Sequence, residues 1–159
     1  MVEMQVYGLA VENDTESPVL VLKSEELGMV LPIWIGAMEA MAISMVLNEV
    51  SFPRPMTHDL LLSTIVTFGG ELVSVDIVDI EKGTFYAEIM VRKDGEMVAI
   101  DSRPSDAVAL AVRADCPVRV SQKVLDVAGT RDIEEKVEEK SGWEEDLEGL
   151  SPDDFKYKM

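Results

Sequence analysis

Two short passages hold most of the residues that could do chemistry. DSRPSDAVAL, residues 101–110, sets Asp101, Arg103, Ser105 and Asp106 around a proline at the mouth of an apolar run. FPRPMTHDLL, residues 52–61, repeats the arrangement with Arg54 and Asp59 and adds His58, the single histidine of the chain. Glu39 stands shortly after Gly36, at a third such junction. Carboxylates gathered at one rim repel one another unless a cation compensates. Oxygen donors of this kind suit Mg²⁺ or Mn²⁺, so Asp59, Asp101 and Asp106 are the candidate metal ligands. Such an ion activates water and clamps a phosphoryl oxygen. His58, Glu39 and Asp106 are then the candidate catalytic groups. Arg54 and Arg103, with Ser105 beside them, would hold a phosphate, because a planar guanidinium matches it with two parallel bonds.

The same residues also have a purely structural reading. A helix N-terminus leaves about four N–H groups unpaired and carries roughly half a positive charge. Thr57 and Ser105 are expected as N-caps, with Asp59 and Asp106 opposing the dipole from the first turn. Under that reading both corners are joinery, and each arginine pairs with a neighbouring acid.

The elements that must position these groups follow from periodicity. Val2, Met4, Val6 and Ala10 alternate with Glu3, Gln5 and Tyr7, the pattern of a half-buried strand. NDTESP (13–18) turns the chain into a partner strand at VLVLK, and a third strand is expected over 30–36, with Pro32 marking an edge or a bulge. AMEAMAISMVLNEV (37–50) predicts a helix that is apolar around most of its circumference, its methionines filling gaps in the core. A second helix is expected from Thr57 to Gly69-Gly70. Residues 71–101 read as a three-stranded meander, turning at EKG (81–83) and KDG (93–95). In its middle strand Phe85, Ala87, Ile89 and Val91 share one face. A third helix follows from the Asp101 corner, then a short strand at PVRVS. Strands and helices do not alternate regularly, so the expected class is α+β, with mixed or antiparallel sheet layers and about three core helices.

Composition sets the outer bounds. A chain of 159 residues with 47% apolar content supports one globular domain. The expected division is a domain over 1–128 and an acidic, partly helical tail over 129–159. No apolar run reaches the ~20 residues of a membrane helix, and MVEMQVYGLAVEND does not read as a secretory leader. The lone Cys116 is expected as a small, partly buried apolar residue in a reducing, cytoplasmic setting. Asn and Gln are scarce, a composition associated with heat adaptation. The formal charge of −17, from 31 acids and 14 bases, excludes a protein that grips nucleic acid through a basic stripe.

Four blocks in order, LPIWIGAMEAMAI (31–43), PRPMTHDLL (53–61), GTFYAEI (83–89) and DSRPSDAVALAVRADCPVRV (101–120), resemble the bifunctional nuclease domain family. The ending SPDDFKYKM resembles the tail of short bacterial members. The resemblance implies hydrolysis of RNA and DNA by a compact α+β domain that associates as a homodimer. A metal-assisted nuclease is therefore the first expectation. The second is a non-enzymatic, dimeric interaction protein whose charged corners are structural ion pairs.

Overall fold

The computed structural model describes residues 1–132. Alternation and turn chemistry account for most of its strands. β1 (Val2–Val11), β2 (Pro18–Ser24) and β3 (Met29–Trp34) form an antiparallel meander. A bulge between Val6 and Gly8 shifts the first strand by one residue, so Leu9 is buried where simple alternation pointed to Ala10. After α1 (Ala37–Leu47) and α2 (Thr57–Thr67), a second meander runs through β4 (Glu71–Glu81), β5 (Thr84–Lys93) and β6 (Glu96–Ser102). Its two hairpins place Lys82-Gly83 and Asp94-Gly95 at positive φ, as two-residue turns between right-twisted strands require. Phe85, Ala87, Ile89 and Val91 share the inward face of β5 as expected, Phe85 at its half-buried end.

α3 (Pro104–Ala114) leads into β7 (Val118–Val120), which lies between the two meanders, parallel to β4 and antiparallel to β1. The result is one mixed eight-stranded sheet in the order β6-β5-β4-β7-β1-β2-β3-β8, and the expected α+β class holds. β8 (Thr130–Arg131) pairs only with Met29 and Val30, which leaves Pro32 on an open stretch of edge where its missing N–H does no harm. α4 (Gln122–Ala128) was not foreseen. Ser121 caps it, accepting from the Val124 N–H at 3.3 Å, and Val124 and Leu125 seal it into the core. The chain stays with the domain through Asp132, which pairs with Lys23 at 2.6 Å. The expected surface helix over 131–150 and the capped turn at Ser151 lie outside the described residues, apart from Arg131 and Asp132.

α3 is the central helix. Pro104 at its first position presets φ and sacrifices no hydrogen bond. Ala107 to Ala111 are all buried, and three of those five side chains are alanine, so the helix can sit close to the sheet. It packs against α1, α2, β4 and β5. α1 buries Ala40 and Ala42 to Met45, but leaves Met38 and Leu47 exposed, so its cover is narrower than its composition implied. α2 is the loosest helix, with no fully buried residue and only Leu62 and Ile65 packed on the core. Its exit is pinned at Gly70, where any Cβ would fall 2.8 Å from Val91 Cγ1 and 2.9 Å from Ile65 Cγ2. The three helices therefore share one side of the sheet, and the charged corners before α2 and α3 become neighbours.

Candidate active site

Packing of α2 against α3 brings together residues far apart in the chain. His58, the second residue of α2, lies 2.9 Å from Asp106 Oδ1 in the first turn of α3. The Arg103 guanidinium grips the same carboxylate, Nε to Oδ2 at 2.8 Å and Nη2 to Oδ1 at 3.2 Å, and its Nη1 reaches Glu39 Oε1 on α1 at 3.1 Å. One relay, Glu39–Arg103–Asp106–His58, thus joins all three helices. Burial pushes the Asp106 carboxyl up, but the bonds from Arg103 and His58 outweigh it and hold the group below the ordinary carboxylate range. An ionised carboxylate only accepts, so Nε2 of His58 carries the proton toward Asp106.

A second pair sits beside the first. Asp59 accepts from the Met56 N–H at 2.9 Å and from Arg113 Nε at 2.7 Å. Burial pushes its carboxyl pKa up, and those two bonds more than reverse the effect, leaving it below the usual range. Arg113 also donates from Nη1 to the Ala109 carbonyl at 2.8 Å, and its side chain is only 7% exposed.

These groups border a groove of about 380 Å³. Met38, Met41, Met45, Met56 and Leu61 make its apolar wall, and Glu39, His58, Arg103, Asp106 and Arg113 supply the polar atoms. Glu39 is held there by a tight local fit. Its carboxylate folds over Gly36, the N-cap of α1, so closely that a Cβ at Gly36 would fall 2.0 Å from Oε2.

The expected site residues divide as follows. Glu39, His58, Arg103 and Asp106 converge. Asp59 is adjacent but satisfied by its own partners. Arg54 lies on a neighbouring groove of about 340 Å³, which shares Met45, Met56 and Arg113 with the first. Asp101 stays on edge strand β6, exposed and off both grooves. Ser105 is not the cap of α3, since Arg103 holds that position, and the residue is 5% exposed. Thr57 is likewise the first helical residue, with Met56 as the cap.

The metal expectation meets a specific obstacle. Both oxygens of Asp106 and both of Asp59 are engaged by protein donors. Among the described residues no group of three His, Cys, Asp or Glu side chains could hold an ion. The donors present do not fit a protein-built metal site. Cys116 stands apart from the relay, its thiol pushed up to about 11 by burial, and is no nucleophile at neutral pH. The residue that sequence reasoning missed is Arg113. Its signal was available: it is the only charged side chain in α3 after Asp106, seven positions on and so roughly two turns along the same face.

Fold and site together define a class, an α+β domain with a histidine–carboxylate pair in an arginine-rimmed groove. A family model described as the bifunctional nuclease domain matches residues 20–132, and the chain belongs to that family. It is 39% identical over 165 residues to "Uncharacterized protein Rv1829" of Mycobacterium tuberculosis, with 98% of this chain and 99% of that protein covered. Bifunctional nuclease 1 of Arabidopsis thaliana is 30% identical over 121 residues, 74% of this chain and 37% of the plant protein. Bifunctional nuclease 2 of Oryza sativa subsp. japonica is 28% identical over 131 residues, 80% and 40% respectively. Among the described residues no helix is long and apolar enough to cross a membrane.

Proposed function

We propose that the chain is a nuclease that hydrolyses phosphodiester bonds of RNA and DNA in the groove between α1, α2 and α3. The observation that carries this reading is the bond from His58 to Asp106 at the groove wall, with Arg103 on the same carboxylate. Asp106 orients the imidazole and stabilises its charged form, the role an acid plays behind a catalytic histidine. His58 Nδ1 takes a proton from water as the water oxygen bonds to phosphorus. The bond from phosphorus to the leaving oxygen breaks, and that oxygen takes the proton back. Arg103 is 64% exposed, so its outer face is open to a phosphate while Glu39 and Asp106 fix its plane. Mg²⁺ or Mn²⁺, the expected cofactors, would have to come in on the substrate's own phosphate rather than on a preformed protein cage.

The test is cleavage of fluorescently labelled single-stranded RNA and DNA, with EDTA, with Mg²⁺ and with Mn²⁺. His58→Ala and Asp106→Asn are expected to lower kcat about 10²–10⁴-fold, the usual worth of a general base. Wild-type protein that cleaves neither polymer under all three conditions, or variants with full activity, would refute the reading.

A homodimer is the second part of the proposal. β6 is an edge strand, and Met97, Val98 and Ile100 on it are exposed. Val98 and Ile100 stand opposite the buried Val91 and Ile89, so the inward face of the sheet continues past its helical cover. An identical β6 related by a two-fold axis satisfies that edge with antiparallel pairing. The same surface would serve a non-enzymatic interaction protein, which is why the cleavage assay decides between the two readings.

A further inference from the structure

The two grooves meet at Arg113, and that residue has more donors than its partners use. Nε and Nη1 are occupied by Asp59 and Ala109. Nη2 makes no hydrogen bond among the described residues, and no buried side-chain nitrogen there lacks a partner, so Nη2 is open to the grooves that Arg113 lines. A guanidinium this deeply set, with one edge of its fork left to the solvent space, is poised for an anion. Beyond it, the second groove has Val46, Val50, Phe52 and Pro55 as apolar walls and Arg54 at its rim. Arg54 forms no ion pair among the described residues.

Resting on the nuclease reading, we infer that the two grooves form one track for two successive nucleotides of a single strand. Arg113 holds the phosphate between them, and Arg54 holds the next phosphate along. The first base lies on the methionine wall beside His58, the second against the Val46, Val50 and Pro55 wall. Base faces bind such apolar walls whatever their sequence, and a thioether makes favourable contacts with a ring. In a duplex those faces are stacked and out of reach. The minimal good substrate therefore has two phosphodiesters, one at His58 and Arg103 and one at Arg113, and a third would reach Arg54.

The experiment compares TpT, with one phosphodiester, and TpTpT, with two, and adds fluorescence anisotropy of labelled dT10 across a salt series. Wild type is expected to hydrolyse TpTpT with a kcat/KM about tenfold above TpT, the worth of one charge-assisted contact. Arg113→Lys should lose most of that gain, and Arg54→Ala, which removes only the contact to a third phosphate, should keep it. The Arg54→Ala plot of log affinity against log salt should flatten by about 0.7 from a wild-type slope of about −2, the release expected for three phosphates on a single strand. Arg113→Lys keeps a charge beside Asp59 but not the fork, and is expected to bind dT10 about tenfold more weakly with a melting temperature close to wild type. Equal kcat/KM for the two substrates in an active wild type, with unchanged dT10 binding by both variants, overturns the track and leaves the nuclease reading standing. A wild type that neither binds dT10 nor cleaves any strand removes both.

Discussion

Replacing Gly36 by alanine separates the chemistry of the site from the stability of the fold. Gly36 has φ −75° and ψ 158°, an extended conformation that alanine adopts without strain. Loss of backbone freedom in the unfolded chain favours the alanine by about 0.4–1 kcal/mol. Loss of a preferred N-cap residue opposes it by an amount of the same order. The net change in stability is therefore expected within about 0.5 kcal/mol, or about 1–2 °C in Tm. The site fares differently. The new Cβ would stand 2.0 Å from Glu39 Oε2 and 3.0 Å from Cδ, against an ordinary contact that begins at 3.4 Å. The carboxylate must retreat by about 1.4 Å, and its bond to Arg103 Nη1, at 3.1 Å, is lost. Arg103 then depends on Asp106 alone for its plane. On the nuclease reading, a misplacement of this size in a group that would meet the reacting phosphate lowers kcat/KM by about 10–100-fold. The assay is hydrolysis of a labelled oligonucleotide alongside differential scanning fluorimetry, with Glu39→Gln as the companion that keeps the bulk and removes the charge. Full activity in both variants would show that Glu39 does not steer Arg103. A Tm fall of 10 °C or more, roughly, would show that the capping argument is wrong.

Two further outcomes follow from the same residues. Asp59 and Asp106 both titrate below their unfolded values, so their stabilisation is complete above the ordinary carboxylate pKa of about 4 and is lost as pH falls through the depressed folded values. Asp106→Asn should thus lower stability by about 1–2 kcal/mol at pH 7, and urea midpoints should converge with wild type in strong acid; parallel pH curves would count against the ion-pair account. At the sheet edge, wild type is expected by light scattering at twice the 17.6 kDa chain mass, and Ile100→Lys at once that mass with little change in Tm; a monomeric wild type would exclude the β6 dimer.

Much of the fold was legible because its strands obey simple periods. Phe85 to Val91 alternate without interruption, and Lys82-Gly83 and Asp94-Gly95 can turn only one way. The bulge at Val6–Gly8 was not legible, since a single extra residue leaves the composition of the strand untouched while exchanging its faces. α4 was missed for a related reason: seven residues with two buried apolar side chains carry too short a pattern to declare a helix. At the site, His58 and Asp106 are 48 residues apart, and only the packing of α2 on α3 makes them partners. Their candidacy could be read from the corners, but their bond could not. Asp101 lies apart from the groove because it precedes the turn into α3 rather than following it, and so stays with the sheet edge. Ser105 does not cap α3 because Pro104 starts the helix two residues earlier than a serine cap would. Arg113 went unread because a base in the last turn of a helix already has a sufficient reason to be there, the dipole.

The charge of the chain now bears on the site in a different way. A formal −17 repels a polyanion as it approaches. Along the two grooves, however, Arg54, Arg103 and Arg113 stand against Glu39, Asp59 and Asp106, three charges of each sign. The track is neutral within an acidic surface. Salt screens exposed charges over about 10 Å at 0.1 M, so the surrounding acids act weakly on a phosphate seated at Arg113 and strongly on a long strand lying across the surface. Each nucleotide beyond the track adds repulsion and gains no contact. On the proposed track, the same balance of charges favours short single strands, held by a few guanidiniums, over long ones.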